Sequence, residues 1–95
     1  MIEGEKMNFR VLERLVRGFS NHRRIQILFL LEKKPELSVG EITDELKINL
    51  KTAAAHIRTL TIAGLVMKKS RGVEIHHRLT DRAEQVIKFL RILAR

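Results

Sequence analysis

Apolar and polar positions follow two rhythms along this chain, one of helices and one of strands. From Met7 to about Gly18, the residues Met7, Val11, Leu12, Leu15 and Val16 recur at i, i+4 spacing, with Arg10, Arg14 and Arg17 on the opposite side. This spacing predicts an amphipathic helix that Gly18 stops. Ser20 and Asn21 offer an N-cap for a second helix carrying Ile25, Leu28, Phe29 and Leu31, which ends at Lys33-Lys34 before Pro35. Ile27 and Leu30 widen its apolar face, so it should be the most buried element. Ser38 followed by Glu41 reads as a capping box for a short third helix with Val39, Ile42 and Leu46 inward. After a turn at Ile48-Asn49, Asn49 can cap a fourth helix to Ala63, with Ala53, Ile57 and Leu60 inside and Gly64 at its C-terminal end. Period-two patterning then predicts strands over 65–69 and 74–79, joined by Ser70-Arg71-Gly72-Val73. Ile75, His77 and Leu79 share one strand face; Glu74, His76 and Arg78 share the other. Thr80 or Asp81 caps a last helix bearing Ala83, Val86, Ile87, Phe89, Leu90, Ile92 and Leu93. The fold class is mainly α with a small β-hairpin, in the order α-α-α-α-β-β-α.

Residues 1–95 are expected to form one domain, because a chain of 95 residues supports a single modest core. Hydrophobic content of 44% and charged content of 32% describe a soluble globular chain. The longest apolar run, Ile27 to Leu31, is far too short to span a bilayer, and Met1–Lys6 does not read as a secretory signal. The absence of cysteine excludes a disulfide framework, a thiolate metal site and a cysteine nucleophile. A cytoplasmic, nucleoid-associated location is the resulting expectation. The net charge of +8 is distributed unevenly. Residues 1–45 hold eight basic and eight acidic groups, whereas residues 46–95 hold eleven basic groups against Glu74, Asp81 and Glu84. A polyanion contacted by the second half accounts for this asymmetry.

The pattern of two short helices, a tight turn and a hairpin describes a winged helix-turn-helix. One helix of such a domain fits the major groove of double-stranded DNA, the preceding helix braces it, and the hairpin reaches the adjacent groove or the phosphates. Lys51, Thr52, Ala54, Ala55 and Arg58 project from the fourth helix away from its apolar side. Lys68, Lys69 and Arg71 are expected at the hairpin tip, and Arg78 on the returning strand, where they would neutralise phosphates.

Three blocks carry a family resemblance. The stretch from Phe19 to Leu28 looks like the alg-D-P-x-R-x-x-I-L opening of ArsR-like winged-helix regulators. Leu37-Ser38-Val39-Gly40-Glu41-Ile42 is similar to that family's LSVGEL helix start. Thr52 to Val66, with His56, Leu60, Ala63, Gly64, Leu65 and Val66, resembles its S-x-H-L-x-x-L-x-x-A-G-L-V recognition helix. The resemblance spans roughly residues 19–79. It implies a dimer built from the first and last helices, with DNA contacts at Lys51, Ala54, Ala55 and Arg58 and from the wing. It also implies that His56 lies beside the DNA backbone.

The departures from the family pattern narrow the reading. Metal-sensing members use cysteines in the third helix, or His and Asp pairs in the last; this chain has no cysteine and no histidine after His77. No metal and no cofactor are therefore expected. His76 and His77, adjacent on a strand, point to opposite faces and are poorly placed to share an ion. His22 neighbours Arg23 and Arg24, which repel a cation. His76-His77 also stand where the family commonly has aromatic residues, and protonation of His56 or His76 would give binding a mild pH dependence. Ala54 and Ala55 replace longer polar side chains; alanine can touch a thymine methyl but makes no bidentate bond to a purine. Modest base discrimination, with phosphate contacts and DNA shape supplying more of the energy, is the expectation. Nothing orients Ser20 and His22 as a catalytic pair, and no phosphate-cradling loop is present. An enzyme is not expected.

The outer helices carry more apolar surface than one such domain covers. Phe9, Leu12 and Val16 on the first helix, with Val86, Phe89, Leu90, Ile92 and Leu93 on the last, are the expected dimer surface. A symmetric dimer would set two recognition helices about one DNA turn apart. The leading reading is a homodimeric DNA-binding regulator that represses by occlusion. An architectural DNA-coating protein and a winged helix used for protein contacts are the alternatives. The sequence specifies no small-molecule effector.

Overall fold

The computed structural model describes residues 6–95; the reading of Met1–Lys6 made above falls mainly outside them. Five helices and three short strands follow one another: α1 (Phe9–Phe19), α2 (His22–Lys33), β1 (Leu37–Ser38), α3 (Val39–Leu46), α4 (Leu50–Ile62), β2 (Val66–Arg71), β3 (Glu74–Leu79) and α5 (Asp81–Leu93). The sheet is antiparallel with order β1-β3-β2.

Every helix starts on a side chain that satisfies its free amides. Asn8, Asn21 and Asn49 each accept from the second and third amides that follow them, at 2.8 to 3.3 Å. At α3 the capping box is complete: Glu41 N–H donates to Ser38 Oγ at 3.2 Å and Ser38 N–H to Glu41 Oε1 at 2.9 Å. Thr80 Oγ accepts from Ala83 N–H and donates to the Gly64 carbonyl at 2.7 Å, so the start of α5 is tied to the end of α4. Because Asn8 is the cap, Met7 precedes α1 instead of opening its apolar stripe.

α4 closes on a Schellman motif. Leu65 N–H bonds the Leu60 carbonyl at 2.9 Å and Gly64 N–H that of Thr61 at 3.0 Å, with Gly64 at φ +78°. Gly18 has a different task from the expected one. α1 continues past it to Phe19, and Gly18 is buried against α4, where an added Cβ would lie 2.3 Å from Ala63 Cβ. The glycine permits a close helix crossing and does not end the helix.

The core lies between α2 and the surrounding elements. Ile27, Leu28 and Leu31 of α2 meet Ile42, Ile57, Leu60, Leu65, Val66 and Ile87, all essentially inaccessible. Arg91 on α5 forms a two-pronged ion pair with Glu32 on α2, at 2.7 and 2.5 Å, and lies over the Phe29 ring. Lys34 and Glu45 join α2 to α3.

The sheet differs from a plain hairpin in two respects. Leu37 and Ser38 pair with His77 and His76, adding a strand too short to leave a period-two signature. Ser70 and Arg71 belong to β2, paired with Ile75 and Glu74, which leaves a two-residue loop of Gly72 and Val73. Gly72 has φ +64° and Val73 does not share a positive φ, the pattern of a type II′ turn.

Candidate nucleic-acid interface

α3, the turn at residues 47–49 and α4 form the helix-turn-helix. Lys47 takes a left-handed conformation, φ 56°, and its N–H returns to the Thr43 carbonyl, which folds the chain sharply between the two helices. Ala53, Ile57 and Leu60 then fix the roll of α4 by burial. The consequence is an outward face of Lys51, Thr52, Ala54, Ala55 and Arg58, all exposed. From Leu46 to Val73 the chain contains no Asp or Glu, so neither α4 nor β2 presents a carboxylate of its own on this side. The N-terminal end of α4, with no acidic side chain in its first turn, adds the positive end of the helix dipole.

His56 sits on the flank of this face, half-buried. Its Nδ1 lies 3.2 Å from Arg24 Nη1 on α2. Burial, and then the charges of Arg24, His22 and Arg23, lower its pKa. Arg24 also donates to the carbonyls of Gly18 at 2.8 Å and Arg17 at 3.2 Å. The sequence reading did not single out this residue as a bridge between helices. Its signal was available: Arg24 stands at i−4 and i−7 from buried Leu28 and Leu31, a charge on the inner stripe of α2.

The wing divides its cations between two faces. Lys68 pairs with His77 and shares the face turned toward α4. With Ala54, Arg58, Ile62 and Ile75 it lines a cleft of about 800 Å³ between α4 and the wing. Lys69, Arg71 and Arg78 occupy the opposite face with His76 and Glu74. Lys68 and Lys69 stand in mid-strand instead of at the tip, because β2 extends to Arg71; fully exposed Val73 occupies the tip. Arg71 is already engaged: its Nη1 donates to Glu36 Oε1 at 3.0 Å, and this contact holds the Glu36 carboxyl below its ordinary range. A phosphate at Arg71 would have to compete with that carboxylate.

His77 belongs to the scaffold. It is 5% exposed, and Nδ1–H donates to the Leu37 carbonyl at 3.1 Å, locking β1 to β3. Burial lowers its pKa against the raising effect of that bond, with Lys68 and His76 lowering it further. His76 Nε2 lies 3.0 Å from Glu74 Oε1. Among the described residues no group of three or more His, Cys, Asp or Glu is arranged to hold a metal, and no helix is long and apolar enough to cross a membrane.

The outer helices flank a shared groove. Phe9, Leu12 and Val16 on α1 are exposed, as are Phe89, Ile92 and Leu93 on α5, while Leu90 is half-buried and Val86 packs into the core of the same chain. Leu12, Leu15, Val16 and Phe19 face Arg82, Gln85, Val86 and Phe89 across an apolar groove of about 420 Å³. Val11 joins the exposed set.

A helix-turn-helix followed at once by an antiparallel hairpin defines a winged helix-turn-helix domain. Residues 21–68, from the cap of α2 into the wing, match the family described as bacterial regulatory protein, arsR family. The chain belongs to the arsR family of bacterial regulatory proteins and is a DNA-binding regulator of transcription. It is 29% identical over 87 residues to the transcriptional activator HlyU of Vibrio cholerae, covering 84% of this chain and 80% of that protein. The solution structure of a homodimeric winged helix-turn-helix DNA-binding domain from Mycobacterium bovis, a possible ArsR-family regulator, superposes with a TM-score of 0.82 at 26% identity, covering 98% of this chain and 90% of that one. The structure of HlyU from Vibrio cholerae gives 0.79 at 28% identity, covering 94% and 97%. The repressor PagR of Bacillus anthracis, at 24% identity and a TM-score of 0.76 over 87% of this chain and 99% of that one, shares the fold.

Proposed function

We propose that this chain binds double-stranded DNA as a symmetric homodimer and represses transcription by occupying its site. The observation that carries the reading is the outward face of α4: Lys51 and Arg58 bracket small side chains, and no acid stands from Leu46 to Val73. Small residues let the helix approach base edges closely, while the two cations reach flanking phosphates or guanine edges. Lys68, Lys69 and Arg78 extend the positive surface along the wing, with Arg71 available once released from Glu36. The exposed apolar faces of α1 and α5 supply a self-complementary surface, as the homodimeric Mycobacterium bovis domain supports. Thr52 and His56 complete the contact set.

A second reading, activation, is favoured by the name of the HlyU relative; a bound dimer beside a promoter serves either outcome. The test is fluorescence anisotropy with the chain's own upstream region beside a random-sequence duplex, each at several salt concentrations. Specific regulation predicts tighter binding to the upstream duplex and a steep fall with salt. Changing both Lys51 and Arg58 to Ala should reduce the salt slope by about one unit per charge removed. Equal affinity for both duplexes supports an architectural role, and an unchanged slope in the double variant removes α4 from the contact surface. An in vitro transcription assay on the same upstream region separates repression from activation.

A further inference from the structure

Arg24 directs its guanidinium at three acceptors in two other helices. Nε donates to the Gly18 carbonyl at 2.8 Å and Nη2 to the Arg17 carbonyl at 3.2 Å, both in the last turn of α1. Nη1 points at His56 Nδ1 in α4, 3.2 Å away. A guanidinium has donors and no acceptor, so Nδ1 of His56 must be the acceptor and the imidazole carries its proton on Nε2. Nε2 has no hydrogen-bond partner among the described residues, and it is not sealed in: the one buried side-chain polar atom without a partner there is Nδ1 of His76. His56 follows exposed Ala55 and precedes Arg58 by two residues, so this N–H opens beside the outward face of α4.

We propose that Arg24 is a positioning residue for DNA binding: it sets His56 as an Nε2–H donor to a backbone phosphate beside the recognition helix and ties that donor to the end of α1. The inference rests on the DNA-binding reading of α4 above. The geometry suits a planar fork, because three different guanidinium nitrogens each face one acceptor, whereas the single nitrogen of a lysine would have to reach all three from one point. The contact is also selective for neutral imidazole. A protonated His56 would turn an N–H toward Arg24 and lose the bond; burial and the charges of Arg24, His22 and Arg23 oppose that protonation. A second tie between the same helices, the Gly18–Ala63 approach, keeps α1 from drifting away from the Arg24 anchor.

A neutral donor has a signature that a cation lacks: it strengthens binding without displacing a counterion. With a random-sequence duplex as probe, His56→Ala should therefore weaken binding about tenfold per bound protomer, the size of one hydrogen bond to a charged acceptor, and leave the salt slope at the wild-type value. His56→Gln, which retains a donor, should recover much of the loss. Arg24→Lys should weaken binding by a similar factor, and adding it to His56→Ala should cause little further loss, because the two act as one unit. Nitrogen-15 NMR of the imidazole near neutral pH should find the proton on Nε2 of His56 in the wild type and a tautomer mixture in Arg24→Lys. Wild-type binding with His56→Ala equally tight, or a slope reduced by about one unit, overturns this inference alone. A proton on Nδ1 in the wild type overturns it even if Arg24→Lys does not fold. A wild-type chain that ignores DNA overturns the proposed function as well, and the tautomer remains readable in that case.

Discussion

Single residues decide how this scaffold responds to acid. His77 is buried and bonded through Nδ1–H to β1, and His56 is partly enclosed beside Arg24, with His22 and Arg23 nearby. Both folded pKa values lie below the ordinary histidine value of 6.5. The unfolded chain therefore takes up protons first as pH falls. The stability these residues contribute is fully present above 6.5 and is lost as pH falls from there toward the lowered folded values. Thermal melts between about pH 7.5 and about pH 5.5, above the range where carboxylates dominate, should show a falling Tm. His77→Gln, which keeps a donor for Leu37 without titrating, should flatten part of that slope. A Tm that does not move across the window rules out neutral, desolvated histidines as a stabilising feature. The carboxylates behave in the opposite range: Arg91 at Glu32, Arg71 at Glu36 and the Ser38 cap at Glu41 depress those pKa values, so their contributions fade only in stronger acid.

At the scale of elements, the crossing of α1 on α4 is a close packing constraint. Gly18 lets the two backbones approach, and Ala63 fills the space that a side chain would need. Gly18→Ala should destabilise the chain by about 1–3 kcal/mol through overpacking, even though alanine is the better helix former. Chemical denaturation measures this directly, and Gly18→Ala combined with Ala63→Gly should recover part of the loss. No change in the single variant would falsify the close crossing. The hairpin shows a second element-scale effect. Strand pairing carries β2 to Arg71 and places Lys68 on one face and Lys69 on the other, so adjacent lysines serve different sides of the wing. Only Lys68 shares the cleft with Arg58.

For the molecule as a whole, the exposed apolar surface of α1 and α5 is where the proposed dimer would form. Val16 and Phe89 are each about half exposed and meet at the same groove. Changing both to Lys should leave the circular dichroism of the fold intact and shift the sedimentation of the chain to that of a monomer. Under the homodimer proposal, affinity for its DNA should then fall about a hundredfold or more, because the second recognition helix no longer binds at high effective concentration. A variant that stays dimeric moves the interface elsewhere on the molecule. The charge asymmetry takes on spatial meaning at this scale: α4 and the wing carry six of the cations of the basic half, of which Arg58 and Lys68 line the cleft between them and Lys69, Arg71 and Arg78 occupy the far face of the wing.

The sequence by itself determined the helices, the caps of α3 and α4, the outward face of α4 and the family. These are local or periodic properties: Asn49 two residues before Lys51 caps α4 wherever the helix is docked, and Ala53, Ile57 and Leu60 can only turn Arg58 outward. Tertiary structure decided what depends on partners distant in sequence. β1 exists because Leu37 and Ser38 find His77 and His76, roughly forty residues away; two residues have no period of their own. Gly18 reads as a helix stop until Ala63 is brought against it. Val86 reads as part of the outer apolar surface until the core closes around it, and Arg71 as a free cation until Glu36 meets it. Arg24 becomes a bridge only when α1 and α4 both come within reach of its fork, since no local pattern records which acceptors a long side chain will find.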